Sequence, residues 1–204
     1  MSTLKKLVLV LLSGLLAACS SLPVSRTYVG SSAHGVSLST PSGWRVFSAE
    51  EMLGRPEGGP PYLAGFGEAS SDPADPIDSE GPGGVLLVTL HGSATEAVNA
   101  ARNAYLLDLD KAVADGVAVV LSERPARDEG GFEHREWLLE VRPKPDTVVR
   151  VIQRVSSSRE PAGYDATGRP VYANKSLIIG CRTTCFETRQ ETIQQIISTW
   201  KVNL

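Results

Sequence analysis

An α+β domain built on an antiparallel sheet is the fold class this sequence predicts, and three observations predict it. Strand-like runs recur from Val36 to Gly180, two amphipathic helical stripes lie far apart near Ser93 and after Thr184, and turn signals separate successive strands. Strands joined by short turns pair antiparallel, and helices with one apolar stripe must lie on a sheet face.

Ahead of the domain, Met1 to Ala18 has the parts of an export signal: Lys5 and Lys6, an apolar stretch from Leu7 to Leu16, then Ala17 and Ala18. The apolar run ends at Cys19, short of the roughly 20 residues a spanning helix needs. Leu16-Ala17-Ala18-Cys19 resembles the lipobox of bacterial lipoproteins, which implies cleavage before Cys19 and lipid attachment to its thiol. Each buried CH₂ is worth about 0.8 kcal/mol, so two or three acyl chains make a durable anchor where one is reversible. An ordinary secretory signal with an accidental cysteine is the competing reading. In a two-membrane bacterium, Ser20 resembles the residue that permits sorting to the outer membrane, on its periplasmic face. Residues 19–33 follow as lipidated N-terminus and flexible tether, and 34–204 as a single globular domain.

Loss of Lys5 and Lys6 with the leader moves the formal charge from −3 to −5. No basic run is visible, so the sequence points away from nucleic acid as a partner. With Cys19 used for lipid, one cysteine pair remains, Cys181 and Cys185. Their C-x3-C spacing differs from the C-x-x-C of thiol oxidoreductases, and two sulfurs without a nearby histidine make a poor zinc site. A structural disulfide is expected in an oxidising compartment, with free thiols or redox chemistry as alternatives. So short a loop contributes only about 2 kcal/mol.

Within the domain, Val36, Leu38 and Thr40 alternate as a strand before the turn at Pro41 to Gly43, and a second strand carries Trp44 and Val46. Ser48 and Glu51 form a capping box for a short helix broken at Gly54. Residues 54–84 are rich in glycine and proline and carry Asp72, Asp75, Asp78 and Glu80, which predicts a long mobile loop that the core does not need. Tyr62 to Ala69 could add a strand at its start. A calcium site is the sharper reading of the carboxylates, but they lack the alternating D-x-D-x-D spacing. Residues 84–92 form a nearly continuous apolar strand. A second capping box, Ser93 and Glu96, then predicts one long helix to Gly116 with the stripe Val98, Ala101, Tyr105, Leu109, Ala112 and Val113.

Three further runs read as an antiparallel meander with turns at 128–131 and 144–146, and in the middle one Trp137, Leu139 and Val141 oppose His134, Glu136, Glu140 and Arg142. The last long strand ends at Gly180. A third capping box, Thr184 and Glu187, opens a closing helix with Phe186, Ile193, Ile196, Ile197 and Trp200 along one stripe.

Two segments carry a family resemblance. "GVSLSTPSGWRV" resembles the opening strand and Pro-x-x-Trp of PsbP/Mog1-like domains, and "LIIGCRTTCFETRQETIQQIISTWKV" resembles their last strand, helix and tryptophan-bearing tail, together bracketing 34–202. The resemblance implies an α/β/α sandwich and a family of mostly non-catalytic binding and assembly factors. The 54–84 segment departs from it.

His34, His91 and His134 are scattered, and no G-x-S-x-G, H-E-x-x-H or phosphate-binding glycine loop occurs, so no catalytic residue, metal or cofactor is assigned. The sequence thus predicts a non-catalytic, membrane-anchored lipoprotein serving as an interaction or assembly factor of the cell envelope. The alternative is a carrier or sensor of a small apolar or lipidic ligand, which needs a cavity between helix and sheet.

Overall fold

A computed structural model of the chain describes residues 25–54, 59–103 and 109–204. The leader, Cys19 and Tyr105 lie outside the described residues. In chain order the elements are β1 (Arg26–Ser31), β2 (Val36–Pro41), β3 (Arg45–Ser48), α1 (Ala49–Leu53), β4 (Tyr62–Gly67) and β5 (Gly83–His91). Next come α2 (Ala94–Ala100), a 3-10 turn (Ala101–Asn103), α3 (Leu109–Ala114), β6 (Ala118–Glu129), β7 (Phe132–Lys144) and β8 (Thr147–Ser158). The chain closes with β9 (Gly163–Tyr164), β10 (Pro170–Arg182), α4 (Thr183–Thr188), α5 (Gln190–Ser198) and β11 (Lys201–Val202).

The predicted α+β class with an antiparallel sheet is the one found. The main sheet runs β3-β4-β5-β10-β8-β7-β6, with β9 added to β10, and a small sheet runs β1-β2-β11. Every pairing is antiparallel. β5 is apolar nearly throughout because it lies centrally between two covered faces. Val85 and Leu87 enter the cluster with Phe47, Trp137 and Leu139 beneath α1, α2 and α3, whereas Leu86 and Val88 enter the cluster with Leu38, Phe66, Ile193 and Ile197. The second face is covered by α4, α5 and the small sheet. Each fully buried isoleucine of α5 stabilises this face by about 1.5–3 kcal/mol.

Four expectations change. Residues 26–31, read as tether, form β1, which pairs along its length with β2 and buries Val29. The long helix from Ser93 to Gly116 is described as α2, a 3-10 turn and α3. The Ala101 N–H donates to the Val98 carbonyl, and the Ala97 carbonyl instead accepts from Asn174 at 2.9 Å and Ser157 at 3.4 Å on the sheet below. The third capping box does not form: α4 is capped at Arg182 without a side-chain bond, and Glu187 turns to Arg150 at 3.3 Å. As part of the same change, the closing helix is divided at Arg189 into α4 and α5, and Trp200 falls beyond its end.

The fourth change concerns residues 54–84. Beyond β4, Ser71 and Ile77 are buried, and Ile77 joins the cluster under α1 to α3. The Asp78 carboxylate accepts from Lys144 at 2.7 Å and Arg182 at 3.2 Å. A Cβ on Gly83 would collide with the Pro76 carbonyl, so this stretch is laid directly against the start of the central strand β5. The described part of the segment is therefore packed structure and not the mobile insertion its composition suggested. Its acids also have partners other than a metal: Asp72 accepts from the Ala74 N–H at 2.9 Å and Asp75 from the Asp78 N–H at 3.2 Å. No group of three metal-ligating side chains occurs among the described residues.

Candidate binding groove

The β6–β7 hairpin turns through Gly130 and Gly131, at φ 58° and 81°, in the left-handed region that a two-residue hairpin turn requires. Its return strand sends Phe132, His134 and Glu136 to the face covered elsewhere by α5. That cover ends before β7, and β11 lies alongside the uncovered part, so an open groove of about 650 Å³ forms between the hairpin and residues 200–203.

Ion pairs organise its walls. Glu136 is shared by Arg124 at 3.0 Å and by Arg154. Arg127 pairs with Glu129 at 2.7 Å. On the opposite face of β7, Arg135 pairs with Glu133 at 2.6 Å, and Glu133, buried to 5% exposure, is also met by Arg159. Lys201 has no carboxylate partner among the described residues. Apolar surface comes from Val202 and Trp200 above the buried Phe132, and the buried Trp200 indole N–H has no hydrogen-bond partner among the described residues.

Beneath the wall, Lys175 is 3% exposed and donates to the carbonyls of Gly35 at 3.3 Å and Asn203, with its ammonium 5.2 Å from the Phe132 ring centre. It fastens β11 to the main sheet. Burial holds its pKa below the ordinary lysine value.

The three histidines are not brought together. His34 packs near the Tyr62 ring at 5.8 Å. His91 stands 3.1 Å from Thr89 Oγ1 and 3.2 Å from Asn174 Nδ2, and burial lowers its pKa against a smaller opposing pull from Glu96. His134 lies on the other sheet face, its Nδ1 2.8 Å from Ser156 Oγ and its Nε2 3.2 Å from the Glu129 carbonyl. In this arrangement His134 braces the hairpin. Cys181 and Cys185 stand at disulfide distance, with Cα atoms 5.9 Å apart, inside the core beneath α5.

Sequence reasoning assigned none of the groove residues. The available signal was "SERPARDE", where charges occupy both alternating faces of a strand, as happens at an uncovered sheet edge. β6 is exposed on nearly every residue from Leu121 to Glu129. Lys201 could not have been joined to it, because their proximity depends on where β11 docks.

No known family's sequence profile matches the chain, and no curated protein matches it. Among solved structures it is similar to cyanobacterial PsbP (CyanoP) from Synechocystis sp. PCC 6803, with 14% identity, TM-score 0.49, and coverage of 91% of this chain and 96% of that one. It is also similar to LpqN of Mycobacterium tuberculosis, a protein described as involved in cell envelope biogenesis, with 15% identity, TM-score 0.46, and coverage of 91% and 88%. Neither similarity transfers a partner or an activity; the architecture rests on the strand pairing and core described above.

Proposed function

We propose that this chain is a lipid-anchored protein of the cell envelope that works by binding another protein, with the groove between the β6–β7 hairpin and β11 as its contact surface. The observation that carries the binding reading is the groove itself: an open surface with apolar patches and ion-paired rims, the composition of an interaction site. A carrier of an apolar ligand would need an apolar cavity between helix and sheet. Both core clusters fill that space with side chains such as Trp137, Phe47 and Ile193, so the interaction reading is favoured. Anchoring rests on Leu16-Ala17-Ala18-Cys19, and Cys19 is the residue proposed to carry the lipid.

Two experiments test the two halves. Intact mass of the membrane-extracted protein should begin at Cys19 and include acyl chains, and Cys19→Ser should release the protein to the soluble fraction; retention with unchanged mass contradicts the anchor. Hydrogen exchange of the full chain in isolated envelopes, compared with detergent micelles, should slow at the Gly130–Gly131 hairpin and β11. Identical exchange there contradicts the binding surface.

A further inference from the structure

We propose that the groove selects an acidic extended segment of a partner protein, one carrying carboxylates interleaved with apolar side chains; this deepens the binding reading and rests on it. The chain as a whole is acidic, at −3, yet the groove gathers Arg124, Arg127, Arg154 and Lys201 against Glu129 and Glu136. A positive surface on a negative protein is a local field that draws anionic groups and repels cationic ones. Much of that charge is still available. Glu136 is one carboxylate facing two guanidinium groups, Lys201 faces no carboxylate among the described residues, and Arg127 pairs only at an exposed rim where its side chain is 76% exposed.

The pattern favours a peptide over other anions. Glu129 and Glu136 stand among the cations and would repel the unbroken negative charge of a phosphate-rich surface, whereas a segment with spaced carboxylates can place each beside a guanidinium. Trp200 and Val202, both partly exposed, offer apolar contact between those positions. The membrane is disfavoured by placement. The described chain enters β1 at Arg26, opposite Pro41, while β11 pairs with Val36 and Ser37 at the far end of β2. The groove therefore lies at the end of the small sheet away from Arg26, where the described strand begins. Recognition runs through side chains, because register shifts between Val120 and Ser122 and between Arg124 and Arg127, together with Pro125, spoil the β6 edge for strand addition.

The test uses the full chain in nonionic detergent micelles and a short labelled peptide alternating Glu and Phe. It should bind, its Lys/Phe counterpart should not, and Arg127→Glu with Lys201→Glu should weaken binding about tenfold; a similar loss is expected on raising salt to physiological strength, where the Debye length is about 8 Å. Both substituted side chains are exposed, so an unchanged melting temperature keeps the variant informative. Equal binding of both peptides, no binding, or displacement by inorganic phosphate or anionic phospholipid vesicles overturns the proposal. If the peptide fails while envelope-induced protection at the hairpin persists, the acidic-segment proposal falls and the binding surface stands. If protection is absent as well, both fall.

Discussion

Asp78 sits in a stretch whose composition favours solvent, yet its carboxylate is 4% exposed and joins Lys144 and Arg182. Burial alone would raise its pKa, but the hydrogen bonds from Lys144 and Arg182 outweigh it and hold the carboxyl below its ordinary value. Its stabilisation is therefore present above the ordinary aspartate value near 3.9 and is lost as pH falls through the lower folded value. Asp78→Asn should destabilise by about 1–2 kcal/mol, because its cationic partners remain half-solvated, and thermal unfolding at neutral pH measures it. His91 acts at a higher pH. With its folded pKa below the usual value near 6.5, the unfolded chain binds the proton first, so stability should fall as pH drops below about 6.5. His91→Gln should flatten that dependence, and an imidazole titration midpoint at or above 6.5 would contradict it. For the cysteines, reduction of the pair should cost about 2 kcal/mol and leave the domain folded. Two free thiols counted in the unreduced native protein would contradict the bond.

Elements whose order is written in local periodicity were legible. Val36, Leu38 and Thr40 are each buried as their alternation implies, and the Ser48–Glu51 box closes in both directions, at 2.7 and 3.2 Å. The second box is half formed: Ser93 accepts from the Glu96 N–H, but Glu96 reaches past it to the Gly92 N–H at 2.9 Å. What periodicity could not show were elements set by distant partners. The 70–82 segment is held by residues 66 and 104 positions from Asp78, a pairing no local window contains. The break after α2 likewise depends on Asn174 and Ser157, strand residues that compete for a helical carbonyl. Deleting residues 70–82 should lower the melting temperature by more than 5 °C, since it removes Ile77 from the core together with the Asp78 ion pairs. An unchanged melting temperature would return the segment to a mere insertion.

Across the whole molecule, the sandwich was legible because each layer leaves its own pattern: alternation in the meander, apolar runs in the central strands, and a stripe on α5. The groove was not, because its cations come from β6, β8 and β11 and meet only after the sheet is assembled. The same assembly explains why an acidic chain without a basic run presents a positive surface. That surface is held in place by Lys175, which ties residues 35 and 203 to the sheet. The proposed binding groove lies at the end of the small sheet away from Arg26. It is tested by photo-crosslinking in intact envelopes, with the crosslinker placed at Val202 in one sample and, as a control, at Gly168, exposed in the loop that leads into β10, in another. Discrete adducts to a partner protein are expected from Val202, weakened by Arg127→Glu with Lys201→Glu and sparse from Gly168. Equal adducts from both positions, or none from Val202, would contradict it.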